Sequence, residues 1–482
     1  MDALVLSPAI AEIFLALAVI VLVMLAAFGS NPEKTSTLMQ RLSIAVLAIT
    51  GMLTYAYGSV PGMAFGQLFM TSPFMVYMKL LVLIGAVVVM LVARPHLRAD
   101  GIDKPEFYLL LLLSVLGMMV VISANDLMVL YMGVELQSLP LYVIAAMQRD
   151  NLRSSEAGLK YFLLGALSSG LLLYGASMIY GFAGSTGYAE IASSLADGAS
   201  AGVVIGIVFL IAGLAFKISA APFHMWTPDV YEGSPTIVTA FFAIVPKIAA
   251  MTLFMRVTYG MLEPVPESWQ QVVVTIAVLS MVIGALGAIM QTDLKRLLAY
   301  SSIAHMGYAL VGMASADASG ISSVMVYLAI YVISSIGVFT LILSMHREGV
   351  AVHRIADLKG YSRSHPVYAA AMLIFMFSMA GIPPLGGFFG KWFVFSAAVD
   401  AGMVGLAVCG VLASVVGAFY YLRVVKVMYI DEGDTPLDAE DTMTSRLVIG
   451  LTAAGLVLFI FGLGPLRDVI AATLPHIVII LG

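Results

Sequence analysis

Four ionisable side chains lie in the middle of long apolar stretches of this sequence: Glu135, Lys217, Lys247 and Lys391. A charged side chain at the centre of a bilayer costs about 3 kcal/mol on insertion scales, so such residues should be paired, hydrated or neutral. Burial favours the neutral form of a lysine, and a nearby carboxylate restores the charged form. A charge that moves near such a lysine therefore changes its proton affinity, which is the physical basis of a proton relay.

Glu135 is the natural counter-ion of Lys217, because it is the only acid in the middle of a span in the first half of the chain. Two groups coupled in this way should titrate as a unit. His224 and His305 can hold a proton near neutral pH and could bridge lysines that are too far apart to exchange protons directly.

Structural roles are the alternative for each of these residues. An interior histidine often only satisfies its own hydrogen bonds, and a membrane lysine can form a structural ion pair or extend its amine to the interface. For Lys160, Lys79 and Arg256 the structural interpretation is at least as good as the functional one. The structural interpretation is weaker for Lys217, Lys247 and Lys391, because interior ionisable groups at mid-depth rarely persist without a transport role.

The composition is that of an integral membrane protein. Of the 482 residues, 61% are apolar and 11% are charged, and this charge content is less than half that of a soluble domain. Apolar windows between glycine, proline and charge breaks predict about fourteen spans. The predicted spans are 6–28, 39–57, 71–93, 106–123, 126–147, 157–183, 202–232, 236–261, 271–290, 294–313, 320–345, 366–398, 401–430 and 446–470. The predicted fold class is an all-α polytopic membrane protein.

Charge and cysteine content narrow the function further. Basic residues collect in the loops after odd-numbered spans, which predicts that both termini lie outside. Asp2 and Glu12 stand where a signal peptide would carry basic residues, so the first span is expected to be retained. A net charge of −5 is too small to indicate a nucleic-acid partner. The single Cys409 allows no internal disulfide and no cysteine-based iron–sulfur site.

An internal repeat organises the spans. NDLMVLYMGVEL at 125–136 aligns with TDLKRLLAYSSI at 292–303 at an offset of 167 residues. The second copy lies five predicted spans after the first, an odd number, so the two copies should cross the membrane in opposite directions. We therefore expect two inverted five-helix repeats, at 106–261 and 271–430, after three N-terminal helices in 1–105 and before an acidic linker and last helix in 431–482. The acidic stretch at 431–445 is expected to be a solvated cytoplasmic loop.

Each repeat contains one span interrupted by proline and glycine. These are FKISAAPFHMWTPDVYEGSPT at 216–236 and SMAGIPPLGGFFGKW at 378–392, and each carries a lysine and a tryptophan. Paired discontinuous helices in inverted halves are how ion-handling transporters build a site near the midplane, because the break frees backbone groups to line a hydrated cavity.

These motifs, together with EAGLKYFLLGALSSGLLLYG at 156–175 and DLKRLLAYSSIAHMGY at 293–308, resemble the antiporter-like proton-pumping subunits of respiratory NADH:quinone oxidoreductase, complex I. The resemblance covers nearly the whole chain. It implies that Glu135 and Lys217 form the input pair, that Lys247 is the central relay and that Lys391 lies at the output half-channel. His224, His305 and Lys160 would support this relay, driven by quinone reduction in other subunits.

The same resemblance implies the surroundings of the chain. We expect no cofactor in the chain itself, with NADH, FMN, iron–sulfur clusters and quinone held by partner subunits. Expected partners are an adjacent antiporter-like subunit M and small membrane subunits such as K and J, in a bacterial inner membrane with both termini periplasmic. Three alternatives remain: a stand-alone or Mrp-type cation/proton antiporter subunit, subunit M itself, and a scaffold whose buried charges only fix helix packing. Subunit M has a glutamate at the position of Lys391, which distinguishes this chain from it.

Overall fold

A computed structural model describes residues 6–433, 437–439 and 442–474, and these residues form a helical bundle. Each predicted span corresponds to one helix or to two consecutive helices. The helices are α1 (Ile10–Ala27), α2 (Pro32–Gly58), α3 (Pro73–Ala99), α4 (Pro105–Ser123), α5 (Leu127–Ala145), α6 (Leu152–Ala183), α7 (Tyr188–Ser194), α8 (Ala201–Lys217), α9 (Trp226–Gly233), α10 (Thr236–Arg256), α11 (Pro266–Ile289), α12 (Leu294–Ala314), α13 (Ala318–Leu343), α14 (Tyr361–Ser364), α15 (Pro366–Ala380), α16 (Gly386–Asp400), α17 (Val404–Tyr429), α18 (Met443–Val457) and α19 (Phe459–Thr473).

Five short strands lie between the helices. Strands β1 (Gly62–Ala64) and β2 (Phe69–Thr71) form an antiparallel hairpin. Strands β3 (Met345–Arg347), β4 (Val350–Ala351) and β5 (Asp438–Ala439) form a second sheet in the order β4-β3-β5.

By length and apolar content, 11 helices within the described ranges could each cross a membrane, and α18 with α19 forms a bent pair that would be a twelfth span. The predicted last span, 446–470, is thus two helices bent by 81° rather than one. The predicted spans 202–232 and 366–398 are not among these helices, because each is divided into two helices that are too short to cross a membrane alone. The protein is a multi-pass membrane protein, and the number of fourteen membrane spans stays a prediction.

The first break follows α8, which ends at Lys217. Ser219 adopts a positive φ of 63°, and the chain does not resume a helix until α9 begins at Trp226. A break leaves carbonyl groups without helical partners. The indole Nε1 of Trp226 donates a hydrogen bond at 3.1 Å to the Phe216 carbonyl, which also accepts from the Ser219 N–H at 3.0 Å, so α9 is tied to the end of α8.

The second break follows α15. Gly381 turns the chain with a φ of +87°, and the backbone N–H of Gly387, at the start of α16, donates to Ser378 Oγ at 3.0 Å. The hydrogen bond ties the two half-helices together across the break.

The bundle has two distinct ends. Asp100, Gln148, Ser234 and Lys295 line one cavity, so the ends of α3, α5 and α9 and the start of α12 share what we call the basic end. At the other end, which we call the hairpin end, the Asn125 N–H donates to the Leu68 carbonyl of the β1–β2 hairpin at 3.0 Å.

Contacts recur between the two halves at the predicted offset of 167 residues. Asp126 caps α5 and Asp293 caps α12, each through its side chain. The Leu127 N–H donates to Thr186 O at 2.9 Å, and the Leu294 N–H donates to His353 O at 2.7 Å. Both partners are related by the same offset. Because α5 starts at the hairpin end and α12 starts at the basic end, the two helices run in opposite directions.

Two arginines repeat the same relation. Arg256 donates to the carbonyls of Ile122 and Ala124 and, at 3.1 Å, to Asn125 Oδ1. Arg423 donates to the carbonyls of Ile289 and Gln291, which lie 167 residues beyond Ile122 and Ala124. Each guanidinium thus fixes the turn between two packed helices, α4 and α5 in one half and α11 and α12 in the other.

The acidic linker is not simply a solvated loop, contrary to the expectation from its composition. The Gly360 N–H donates to the Asp431 carbonyl at 3.1 Å, Leu437 is buried, and β5 pairs with β3. Backbone pairing with the α13–α14 loop holds these parts, which the charge pattern does not reveal. Residues 434–436 and 440–441 lie outside the described ranges.

We expect Arg256→Gln to destabilise the fold by about 3 kcal/mol, because buried acceptors at the α4–α5 turn would lose a charged donor. The midpoint of denaturant unfolding of the detergent-solubilised protein measures this change. Arg149→Gln is the matched control, because Arg149 is exposed at a helix end. Equal midpoints for the two variants would show that Arg256 does not anchor the turn.

Candidate functional site

Lys247 lies at the centre of the bundle on α10. Its side chain is 1% exposed, and its Nζ lies 3.5 Å from the carbonyl of Ile218, the residue that caps the broken helix α8. The amine also lies 5.7 Å from the centre of the Tyr231 ring. The central lysine thus faces the C-terminal end of a half-helix, where free carbonyls and the helix dipole favour a positive charge.

Lys217 is the last residue of α8 and is also buried. Its Nζ donates to Ser138 Oγ at 2.9 Å. Glu135, the predicted counter-ion of Lys217, makes no ion pair with it, and Glu135 Oε1 has no hydrogen-bond partner in the described part of the chain. The reason is local: Ser138 lies one helical turn beyond Glu135 on α5 and occupies the contact position, while the Glu135 charge acts on Lys217 through space.

Lys391 lies on α16, after the second break. Its Nζ donates to the Ala380 carbonyl at 2.9 Å and to Ser414 Oγ at 2.7 Å, and it lies 4.8 Å from the centre of the Tyr308 ring. Ala380 is the last residue of α15. Lys391 therefore meets the C-terminal end of a half-helix, as Lys247 does.

His305 lies between the last two lysines, and the charges of both Lys247 and Lys391 act on its ring. Its Nδ1 lies 2.5 Å from the Tyr327 hydroxyl and its Nε2 lies 3.0 Å from the Tyr421 hydroxyl. Tyr421 in turn lies 2.5 Å from Ser301 Oγ. The ring is therefore held in a buried network of hydroxyl groups that can donate or accept hydrogen bonds.

His224 lies outside this network. It is half-buried beside the first break, its Nδ1 has no hydrogen-bond partner within residues 6–433, and its ring makes no hydrogen bond to Lys217 or Lys247. The structure therefore does not bring this predicted site residue into direct contact with the lysines.

Several buried polar atoms around the first break have no hydrogen-bond partner among the residues that the structure describes. Buried polar groups normally have a hydrogen-bond partner, either protein or ordered water. The group comprises side-chain atoms of Glu135, Ser169, Ser219, His224, Thr227 and Ser234. The chemistry of this group suits a chain of ordered water from Glu135 towards Lys247.

The three residues with strong structural alternatives are held by structural contacts. Lys160 bridges Glu156 and Asp229, both at 2.7 Å, and its side chain is 41% exposed. Lys79 forms a buried ion pair with Glu12 at 2.5 Å. Arg256 anchors the α4–α5 turn. None of the three contacts the central lysines.

Sequence reasoning missed the hydroxyl partners of the lysines and of His305. Ser138, Ser414, Tyr327 and Tyr421 supply these contacts. The only available signal was positional, because Ser138 and His305 align at the offset of 167, as do Lys247 and Ser414. Ser301 and Ser302 also take part in buried hydroxyl contacts.

Comparison with known proteins gives consistent results. The family described as NADH:quinone oxidoreductase/Mrp antiporter, transmembrane, matches residues 124–417. NADH-quinone oxidoreductase subunit N of Rhodospirillum rubrum is 54% identical over 468 residues, covering 95% of this chain and 94% of the relative. Subunit N 1 of Rhizobium meliloti is 51% identical over 460 residues, covering 94% of each.

Solved structures share the fold. A chain of respiratory complex I from Thermus thermophilus with bound aureothin aligns with a TM-score of 0.81 at 31% identity, covering 98% of this chain and 100% of that chain. A chain of the Mrp complex from Dietzia has a TM-score of 0.84 at 20% identity, covering 98% of this chain and 97% of that one, which shows the fold alone.

The broken helices and the buried lysines that meet their ends define an antiporter-like membrane subunit. The chain belongs to the NADH:quinone oxidoreductase/Mrp antiporter transmembrane family, and within it to the subunit N group of NADH-quinone oxidoreductase. This outcome confirms the resemblance seen in the sequence motifs.

We expect Gly387→Ala to disrupt the second break. An added Cβ would overlap the Ser378 carbonyl, which is backbone and cannot rotate away, so the half-helices and Lys391 must shift at a cost of about 1–3 kcal/mol. The fraction of monodisperse protein after heating in detergent measures this loss. Gly405→Ala is the matched control, since Gly405 is also the second residue of its helix and has no atom within 4 Å of the added carbon. Similar melting of both variants would contradict the prediction.

Proposed function

We infer that the chain is a proton-translocating membrane subunit of an NADH-quinone oxidoreductase, and that its buried lysines carry the proton. The observation that supports the role most strongly is that Lys217, Lys247 and Lys391 are each at most 9% exposed and bond to neutral oxygens rather than to carboxylates. The naming of the relatives supports membership of the enzyme complex.

Neutral partners leave the proton free to move. A hydroxyl or carbonyl oxygen accepts a hydrogen bond from an ammonium or from a neutral amine, whereas a contacting carboxylate would hold the lysine charged. The charge state of each lysine then depends on charges farther away. Since electrostatic effects are strong in a low-dielectric interior, moving one charge along the row changes the proton affinity of the next group.

The proposed relay runs from Glu135 and Lys217 through Lys247 to Lys391. A change in the Glu135–Lys217 interaction alters the affinity of Lys247 for its proton, and His305 with its hydroxyl network connects Lys247 to Lys391. His224 and Lys160 support uptake on the first-half side. Each charge moved outwards works against about 2.3 kcal/mol per 100 mV of membrane potential, which quinone reduction in other subunits supplies.

The wider assembly belongs to the same proposal. The chain acts within complex I beside subunit M and the small subunits K and J. NADH, FMN, iron–sulfur clusters and quinone are bound by partner subunits rather than by this chain. The matched contacts of the two halves support an inverted repeat at 106–261 and 271–430. The gathering of Lys and Arg at the basic end supports a cytoplasmic position for that end, with both termini periplasmic in the inner membrane.

We expect Lys217→Ala and Lys247→Ala to lower proton pumping coupled to NADH oxidation by about tenfold or more, the scale of losing a positioned proton-transfer group. Membrane vesicles containing the assembled complex are assayed with a pH-sensitive dye and by NADH oxidation in parallel. Lys34→Ala, at an exposed position, is the control.

The same vesicles separate the alternatives. A scaffold role predicts less assembled complex but unchanged pumping per electron in what remains. An independent antiporter predicts sodium-dependent proton exchange by the chain expressed without the other subunits. Unchanged pumping in fully assembled Lys247→Ala complex would overturn the relay.

A further inference from the structure

A second set of titratable residues lies at the basic end, away from the three lysines. A cavity of about 400 Å³ is lined there by His96, Asp100, Lys295, His346 and His353, and we call it the histidine cavity. Residues of α3, α12, β3 and the following loop meet at it, together with the end of α9. Exposed loop residues such as Gly349 and Val350 form its rim, so it communicates with the aqueous phase.

The histidines have unused hydrogen-bonding capacity. Nδ1 of His346, a residue that is 6% exposed, and Nδ1 of His353 have no hydrogen-bond partner among the described residues. The rings of His96 and His346 are parallel, with centroids 6.3 Å apart. Buried ring nitrogens of this kind are satisfied by ordered water. Water bridging several imidazoles is a path along which protons exchange between solvent and the protein.

The charges that face the histidines come from every element around the cavity. Asp100 ends α3, Arg153 belongs to α6, Glu232 to α9 and Lys295 to α12. Burial, reinforced by the charge of Lys295, lowers the pKa of His353 to about 4, and burial raises the pKa of Asp100. His353 is therefore neutral near pH 7.

Lys295 forms the inner boundary of the histidine cavity. It is 4% exposed, and its Nζ donates to the Ser234 carbonyl at 2.8 Å. Ser234 follows α9, so the contact joins the cavity to the second segment of the broken helix. The Ser234 hydroxyl has no hydrogen-bond partner in the described ranges and belongs to the group of unpartnered atoms that surrounds the first break.

From Lys295 a polar route leads inwards. Ser302 lies seven residues, or about 10 Å, farther along the same face of α12. Its hydroxyl lies 2.7 Å from that of Tyr331, which donates to the Ala243 carbonyl at 2.9 Å on the helix that carries Lys247. Tyr231, on α9, brings its ring beside the Lys247 amine. Beyond the step of about 10 Å from Lys295 to Ser302, these contacts lead to the helix of the central lysine and include neither Glu135 nor Lys217.

We propose that the histidine cavity is a proton-uptake port that supplies Lys247 from the basic end, with His346 and His353 exchanging protons with water and Lys295 as the inner transfer residue. The proposal rests on the proposed proton-translocating function and adds a path independent of the Glu135–Lys217 pair. The proton moves between nitrogen and oxygen atoms only, and no covalent step is involved.

The test uses the whole complex in proteoliposomes with the basic end exposed to the bath. His346→Gln and His353→Gln together should lower pumping per electron by about tenfold at bath pH 8, the scale of a lost proton-transfer group, with a smaller loss at pH 6, where protons are more abundant. Added imidazole should restore a large part of the rate, because a small base can enter the cavity. Lys295→Gln should lower pumping and Lys295→Arg should retain more of it.

His365→Gln is the matched control, because His365 lies in the same connecting region but does not line the cavity. Assembled complex is quantified on native gels for every variant, and pumping is reported per assembled complex. Normal pumping at pH 8 in the double variant, or a loss that imidazole does not rescue, overturns the port. If Lys247→Ala also pumps normally, the proton-translocating function itself fails. If only Lys247→Ala loses pumping, the port alone is wrong.

Discussion

A lysine amine inside an apolar bundle must find oxygen atoms, and the two helix breaks provide them. Lys247 faces the carbonyl that caps α8, and Lys391 donates to the last carbonyl of α15. In an unbroken helix these carbonyls would be used by the backbone. The breaks therefore explain why these amines can stay buried: free acceptors and the negative end of a helix dipole lie at the same place. The prolines and glycines of the two motifs interrupt the helices and so leave backbone carbonyl oxygens available to the lysine amines.

The two halves share a frame but differ in chemistry. The aspartate caps, the bridging backbone hydrogen bonds and the two arginines all recur at an offset of 167. Within that frame Glu135 is replaced by Ser302, Ser138 by His305 and Lys247 by Ser414. The first half thus holds Glu135, Lys217, His224 and Lys247, whereas the second holds His305 and Lys391. A symmetrical scaffold therefore carries unequal titratable groups in its two halves.

Much of the fold follows from the sequence, because hydrophobic length, proline, glycine and buried charge act locally. Positions 217 and 391 stand out as lysines beside helix breaks, and aspartates 126 and 293 read as helix caps. The partners of the lysines are different. Ser138 and Ser414 are ordinary residues of apolar helices, and only the packing of α5 against α8 and of α16 against α17 brings them to an amine. The same packing explains why a serine rather than the counter-ion Glu135 contacts the Lys217 amine. The bend between α18 and α19 has no local signal that separates it from a straight span.

Lys79 is a buried lysine whose contacts differ from those of Lys217, Lys247 and Lys391. Lys79 is as inaccessible as Lys247, yet its amine lies 2.5 Å from a Glu12 carboxylate that is itself buried. Removing either partner would leave the other buried without its ion-pair contact, so the pair holds α1 to α3. Lys217, Lys247 and Lys391 share the burial but lack the contacting acid. Burial alone therefore does not separate these three lysines from Lys79. The type of oxygen at the amine does, because a neutral acceptor tolerates both protonation states and a contacting carboxylate tolerates only one.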